Sequence, residues 1–433
     1  MKFYDINNPS HKVSSHEAVI KSISGTSGLY MPEFIPVLPD SFYTTLPDLS
    51  LQEIALEVSK AMLGDDVPYN ELQQIVDDAL NFPIPLKQLG ENLFVLELFH
   101  GPTLAFKDVG ARFMAGLFQH LLKNENKEVV IMVATSGDTG SAVANAFYNK
   151  KGIKVVILYP SGKVSELQEK QLTTMGGNIT ALEVNGDFDD CQRLVKLAFA
   201  DKGLNRQLNL TSANSINFAR LFPQSFFYFH AIAQLGKVYK PVVMSVPSGN
   251  LGNLTAGLIA KKMGLPVHQF IAATNRNRVV PDYFKSGEYK PQQTFHTISN
   301  AMDVGNPSNF PRLLEICQKR HDVIVSQIKA YSFDDGQNRS AMTELQNLYS
   351  YQVDPHGAIA YLGLKEYGLS DDYYSIFLET AHPAKFPDEV EKATNNPVSI
   401  PETLSELVNL TTKSVTISTN YQELSEQLTK MVR

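Results

Sequence analysis

The sequence predicts an α/β protein built on mostly parallel sheet, in two similar halves. Two observations predict it. From about residue 93 onward, short apolar runs bounded by turn residues alternate with segments of helical spacing, the pattern of βαβ units. The chain also carries a weak internal duplication. Residues 129–160 (VVIMVATSGDTGSAVANAFYNKKGIKVVILYP) and 242–274 (VVMSVPSGNLGNLTAGLIAKKMGLPVHQFIAAT) each read as strand, Ser-Gly-x-x-Gly, Ala-rich helix, Lys-Lys and Gly, then strand. The intervals Ser136 to Gly152 and Ser248 to Gly264 are both 16 positions. Matched units of this kind place two glycine-rich loops at two helix N-termini, across one cleft.

In chain order, residues 1–92 mix prolines (Pro32, Pro36, Pro39, Pro47, Pro68, Pro83, Pro85) with helical spacing at 51–63 and 70–80, so a small, mainly helical N-terminal region is expected. The run 93–99 (LFVLELF), bounded by Gly90 and by His100-Gly101-Pro102, reads as a buried strand. Further strands are expected at 129–134, 153–159, 179–184 and 241–246, and helices at 108–123, 140–151 and 187–201. The resulting division is 1–92, a smaller α/β region at 93–240, a larger one at 241–386, and a polar peripheral segment at 387–433.

With 433 residues, 43% hydrophobic and 19% charged, the chain is globular in composition rather than disordered. Lys+Arg number 38 against 45 Asp+Glu, a net charge of -7 with no basic stripe, which argues against a nucleic-acid partner. Cys191 and Cys317 fit no Cys-x-x-Cys pattern, so neither a disulfide framework nor a cysteine zinc site is expected. No apolar run approaches the ~18 residues of a membrane span, and MKFYDINNPSHK lacks the form of a secretory signal. A cytoplasmic protein without a membrane partner is the expectation. HExxH, GxSxG and EF-hand patterns are absent, leaving zinc peptidase, α/β-hydrolase and calcium-switch readings without support.

Four segments carry chemistry. The loop SGNLGN (Ser248–Asn253) follows a strand and opens a helix, a place where backbone amides and the helix dipole favour an anion such as a phosphate monoester. TSGDTG (Thr135–Gly140) occupies the equivalent place and adds hydroxyls suited to a carboxylate or a second phosphate; its Asp138 either caps the helix or accepts from a ligand. In HGPTLAFKDVGARF (His100–Phe113), Lys107 is either a solvated lysine at a helix start or a partly desolvated amine able to form a Schiff base with an aldehyde cofactor. ETAHPAKF (Glu379–Phe386) offers Lys385 as a rival amine. His382 there reads as a core histidine, and His356 in DPHGAIAY as a turn residue before a helix.

Taken in order, GTSGLYMP, LELFHGPTLAFKDVGARF, ATSGDTGSA, VPSGNLGNLTAG and ETAHPAKF resemble the threonine synthases, pyridoxal-phosphate enzymes of the tryptophan synthase β family, in the longer class of bacteria and fungi. The resemblance spans residues 25–386. It implies fold type II: two open, twisted, mostly parallel sheets with flanking helices, plus a small helical N-terminal region. It implies that Lys107 holds pyridoxal 5'-phosphate and later acts as acid and base. Ser248, Gly249, Asn250, Leu251, Gly252 and Asn253 would wrap the cofactor phosphate. Asp138 would lie by the cofactor's 3′-oxygen, and Thr380 would meet the pyridine nitrogen with a hydroxyl. Ser136, Gly137, Thr139 and Gly140 would hold the substrate carboxylate. For the leaving phosphate, Asn217 and Arg220 in SINFARLFPQ rank ahead of Arg112, Lys163, Arg276 and Arg278. The implied reaction converts O-phospho-L-homoserine and water to L-threonine and phosphate. A phospho-lyase that stops after elimination and releases 2-oxobutanoate is the alternative. Both a monomer and a dimer are compatible with the sequence.

Overall fold

The computed structural model describes residues 1–123 and 128–431, arranged around three sheets. The first is antiparallel and small: β1 (Lys2–Asp5) lies between β2 (Asn8–Ser14) and β3 (Tyr30–Pro32). Chain order then brings β4 (Leu86–Gln88), β5 (Leu93–Glu97), β6 (Val129–Ala134), β7 (Ile153–Pro160), β8 (Ile179–Val184) and β9 (Leu210–Ser212). Next come β10 (Val242–Pro247), β11 (Gln269–Thr274), β12 (Ile328–Ser332), β13 (Tyr374–Glu379) and β14 (Ser414–Ile417). One sheet is all parallel in the order β14-β8-β7-β6-β9. The other has the order β12-β11-β10-β13-β5-β4 and is parallel except for β4.

The central strands β6, β7, β10 and β11 bury nearly every side chain. This is why they read as unbroken apolar runs: helices cover both faces of a parallel sheet. The duplicated segments form β6–helix–β7 and β10–helix–β11, each pair of strands parallel neighbours. Helix starts follow local chemistry. Ser50 with Glu53 and Asp187 with Asp190 form capping boxes for the helices Leu51–Leu63 and Phe188–Ala200.

Three features differ from the expected division. The N-terminal region carries the small sheet β1–β3 beside its helices, because β1 and β3 are too short and β2 too polar to show alternation. The strand β5 belongs to the second sheet, not with residues 98–240, since it pairs in parallel with β13 from Leu93↔Ser375 to Glu97↔Glu379. The segment 387–433 is not merely peripheral. β14 extends the five-stranded sheet beside β8, and Leu424 and Leu428 of the helix Tyr421–Lys430 enter the same core as Cys191 and Leu194.

Arg312 ties these units together. Fully buried, it donates to the carbonyls of Tyr30 (3.0 Å), Ser215 (2.9 Å) and Ile216 (2.6 Å) and to Asn309 Oδ1 (2.9 Å). Both cysteines are free and buried, and burial pushes the Cys191 thiol up to about 12 and that of Cys317 to about 11. Among the described residues, no helix is long and apolar enough to cross a membrane.

Candidate active site

A cavity of about 1220 Å³ lies at the carboxyl ends of strands from both large sheets, lined by Ala134, Ser212, Pro247 and Thr380 and, on one side, by the N-terminal stretch from Ile20 to Leu29. Open parallel sheets characteristically bind ligands at this end.

The SGNLGN loop forms one wall. Leu251 caps the helix Gly252–Lys262 in the left-handed conformation (φ 61°) with no side-chain cap. The first helical bond runs from Thr255 N to Leu251 O (2.9 Å), which leaves the amides of Gly252, Asn253 and Leu254 without an intrahelical acceptor. All three residues line the cavity, as do Ser248, Gly249, Asn250 and Leu251. Asn253 Oδ1 accepts from the Tyr228 hydroxyl (2.6 Å), so its Nδ2 is committed to the other side, where it is buried without a partner. A buried orphan donor beside three free amides at a positive helix end is a site for an anion. The loop is pinned from behind: Asn250 Oδ1 accepts from Ser308 N (3.2 Å), and its carbonyl accepts from Asn309 Nδ2 (3.2 Å). The Ser248 hydroxyl donates to Val246 O (2.9 Å).

Gly249 has to be glycine. A Cβ there would stand 2.8 Å from Met302 Cα and 3.1 Å from Ala301 O. Gly249→Ala is therefore expected to push the 300–304 segment off the loop at a cost of about 1–3 kcal/mol. Cofactor affinity should fall about tenfold or more, read by absorbance titration of the apoprotein; unchanged affinity would count against the loop as the phosphate site.

The TSGDTG loop forms the facing wall, but only in part. Thr135 Oγ1 accepts from the amides of Gly137 (3.0 Å) and Gly140 (2.9 Å), so these donors are spent within the loop. Gly137 sits at φ 135°, where a Cβ would meet the Gln168 side chain at 2.5 Å. Ser136, Asp138 and Thr139 line the cavity; Gly137 and Gly140 shape the loop instead. Of the four residues expected to hold the substrate carboxylate, Ser136 and Thr139 line the cavity.

Two lysines meet at Asp138. Lys385, fully buried, donates to Asp138 Oδ1 (2.7 Å) and to Thr103 O (3.0 Å). Lys107, the first residue of the helix Lys107–Leu122, has its amine 3.8 Å from Asp138 Oδ2. Gln168 Nε2 completes the carboxylate's shell at 2.9 Å. One carboxylate balances one ammonium, and Lys385 holds the shorter contact plus a carbonyl. Burial, with Lys385 and Arg220 adding repulsion against the pull of Asp138, brings the Lys107 amine down to about 8. Burial acts to raise the Asp138 carboxyl, but Lys385 and Lys107 outweigh it and hold it well below the ordinary carboxylate range. This asymmetry distinguishes the rivals: Lys385 is fully buried against Asp138, whereas Lys107 lines the cavity with its amine lowered.

Thr380 lines the cavity, and its carbonyl accepts from Phe106 N (2.9 Å), which sets the residue before Lys107. Arg220 also lines it, fully desolvated and lowered by burial to about 10, with its guanidinium donating to Ala213 O at 2.5 Å. Asn217 does not line it. Its Nδ2 donates to Val19 O (2.8 Å) and Ser212 O (3.2 Å), and its Oδ1 caps Ala219 N (3.0 Å), so the side chain is fully occupied in structure. Arg112, Lys163, Arg276 and Arg278 lie elsewhere too; Arg112 bonds Ala79 O at 3.1 Å and Arg278 pairs with Asp282 at 2.9 Å. Of the five cations considered for the leaving phosphate, Arg220 alone lines the cavity.

His382 is half-buried, edge-on to Phe99, with burial lowering it to about 4. His356, read as a turn residue, lines the cavity: Asp354 Oδ2 stands 2.5 Å from its Nδ1, and its Nε2 accepts from Ala301 N (3.2 Å). Asn309 and Gln168 also support the site; Gln168 is marked in the sequence only as the end of the Ser165-x-x-Gln168 capping box, and no local pattern marks Asn309.

Three family models together match almost the whole chain: "Threonine synthase N terminus" at residues 2–80, "Pyridoxal-phosphate dependent enzyme" at 79–374, and "Threonine synthase, C-terminal" at 357–428. The chain is 45% identical to the threonine synthase of Haemophilus influenzae over 431 residues, 99% of this chain and 100% of that one. The crystal structure of threonine synthase from Escherichia coli superposes with a TM-score of 0.94 at 42% identity, covering 100% of both chains. A pyridoxal-phosphate-bound threonine synthase from Brucella melitensis does so with a TM-score of 0.94 at 33% identity, again over 100% of both. The cavity fits that cofactor: free amides and the Asn253 orphan for its phosphate, and a desolvated amine for its aldehyde. Full-length identity and shape agree that the chain belongs to the threonine synthase family of pyridoxal-phosphate-dependent enzymes.

Proposed function

We propose that the chain converts O-phospho-L-homoserine and water to L-threonine and phosphate, with Lys107 as both cofactor anchor and proton carrier. A single observation carries this reading: the lowered amine of Lys107 shares one cavity with a helix terminus whose donors are unpaired. Pyridoxal phosphate, when bound, supplies the electron sink that tolerates charge left on substrate carbon. The helix amides at Gly252–Leu254 and Asn253 Nδ2 anchor its phosphate. With its nitrogen free, the Lys107 amine would remove the proton at substrate Cα, and the same nitrogen would return a proton there at the end of the cycle. Ser136 and Thr139 hydroxyls orient the substrate carboxylate. The Arg220 guanidinium, still charged at neutral pH, holds the departing phosphate through charge-assisted bonds. Thr380 offers a neutral hydroxyl, not a carboxylate, to the pyridine nitrogen, which moderates the sink. A reducing, cytoplasmic setting suits two buried free thiols.

Incubation with O-phosphohomoserine is expected to yield threonine and phosphate in equal amounts. Release of 2-oxobutanoate in place of threonine would mark a phospho-lyase instead. Borohydride should fix the cofactor to a peptide containing Lys107; label on Lys385 would overturn the assignment.

A further inference from the structure

Behind the cavity runs a buried chain of acids that the reaction above does not use. Glu97 and Glu379 end the neighbouring parallel strands β5 and β13 and are register partners, so their side chains lie side by side. Both are buried. The Tyr351 hydroxyl bridges them, 3.0 Å from Glu97 Oε1 and in a short hydrogen bond with Glu379 Oε2. Glu379 Oε1 accepts from Asp354 N (3.2 Å).

Proton counting decides the charge state. A tyrosine hydroxyl carries one hydrogen and donates to one carboxylate only. The second contact is a hydrogen bond only if that carboxyl carries a proton of its own. Glu97 has partners at its outer end, the His100 imidazole with Nε2 at 2.8 Å and the Lys87 ammonium with Nζ at 3.8 Å. Glu379 faces Tyr351, Glu97 and Asp354, and no cation contacts it among the described residues. Asp354 is itself a carboxylate: His356 Nε2 accepts from Ala301 N, so the imidazole proton is on Nδ1 and points to Asp354. Nearby His382 is held neutral by burial and offers no compensating charge.

We infer that Glu379 is a protonated carboxylic acid at neutral pH, donating to Tyr351, which donates to Glu97, and that this clamp is a positioning device for the active site. The strand end it holds sets two site elements at once. Glu379 O accepts from Leu98 N (2.9 Å), and Thr380 O accepts from Phe106 N (2.9 Å), next to Lys107. Ionising Glu379 would set two carboxylates against each other across β5 and β13 and shift both. Burial and the field of Asp354 raise the Glu379 carboxyl well above its ordinary range, in keeping with the count. The functional half of the inference rests on Lys107 and Thr380 serving the cofactor as proposed; the charge state does not.

The test uses the holoenzyme and its Glu379→Gln and Glu379→Ala variants. Difference infrared spectra at pH 7 should show a carboxylic-acid carbonyl band in the wild type that Glu379→Gln lacks. A carboxylate pair lost in its place overturns the inference. Because the folded acid has the higher pKa, the wild type should lose thermal stability relative to Glu379→Gln as pH rises through that pKa, while below the ordinary carboxylate range the two run parallel. Parallel curves throughout would also overturn it. Glu379→Ala should lower kcat about 10- to 100-fold through misplacement, and the neutral isostere Gln should restore most of it; an equal loss in both removes the positioning role. Infrared and thermal readouts do not depend on the substrate, so a failure of threonine formation leaves them decisive.

Discussion

Lys107→Ala is expected to abolish threonine formation while leaving the fold in place. The amine is the group that anchors the cofactor and moves protons at Cα, and such a group contributes about 10²–10⁴-fold or more to the rate. No other base is free to replace it: Lys385 is engaged with Asp138 and Thr103 at 2.7 and 3.0 Å, His356 Nε2 already accepts from Ala301 N (3.2 Å), and His382 does not line the cavity. Stability should barely suffer. The variant removes a desolvated amine whose only carboxylate contact among the described residues is 3.8 Å long, and Asp138 keeps Lys385 and Gln168. Phosphate release and threonine formation in steady state, with thermal melting as the control for folding, check both halves. Turnover within tenfold of wild type in a folded Lys107→Ala protein would mean that another amine carries the cofactor.

Lys385→Met is the second large effect, and it reaches both stability and pH dependence. Removing one partner of a buried pair costs about 3–5 kcal/mol, because the remaining charge is left without water or counter-ion. Here the abandoned charge is Asp138, fully inside the protein. Its low folded pKa means that the pair's contribution is present above the ordinary carboxylate pKa and disappears as pH falls through the folded value; the variant lacks that acid-dependent component. Lys107 would inherit the carboxylate. With Lys385 gone, a repulsion that lowers the Lys107 pKa below its ordinary value disappears, so that pKa rises from about 8. The acidic limb of the apoprotein's amine reactivity, and of kcat/KM, should therefore move to higher pH. Adding Asp138→Asn to Lys385→Met should recover much of the stability, since the double variant has no stranded charge. If the single variant melts like the wild type, the pair is not buried as described.

The legible parts of this protein were those encoded by short-range pattern. The runs that became β6, β7 and β8 were readable because a parallel strand covered on both faces must be apolar throughout. The glycine loops and the lysine segment were readable because turn and helix-start chemistry is local. The strand β14 and the N-terminal sheet were not, because β1, β3 and β14 are too short for periodicity to show and β2 is polar and exposed almost throughout. Asn217 illustrates a different limit. It sits in a motif-like segment, yet its three polar contacts reach Val19, Ser212 and Ala219, one of them across 198 residues.

What the sequence determined by itself was the class of fold, the two anion-ready loops and the presence of two competing lysines. Which lysine amine is lowered, which glutamate carboxyl is raised and which arginine lines the cavity were decided only when distant segments closed on one another. Such assignments depend on desolvation and on the sum of nearby charges. Both are properties of three-dimensional neighbours: Lys385 lies 247 positions from Asp138, and Glu379 lies 282 from Glu97.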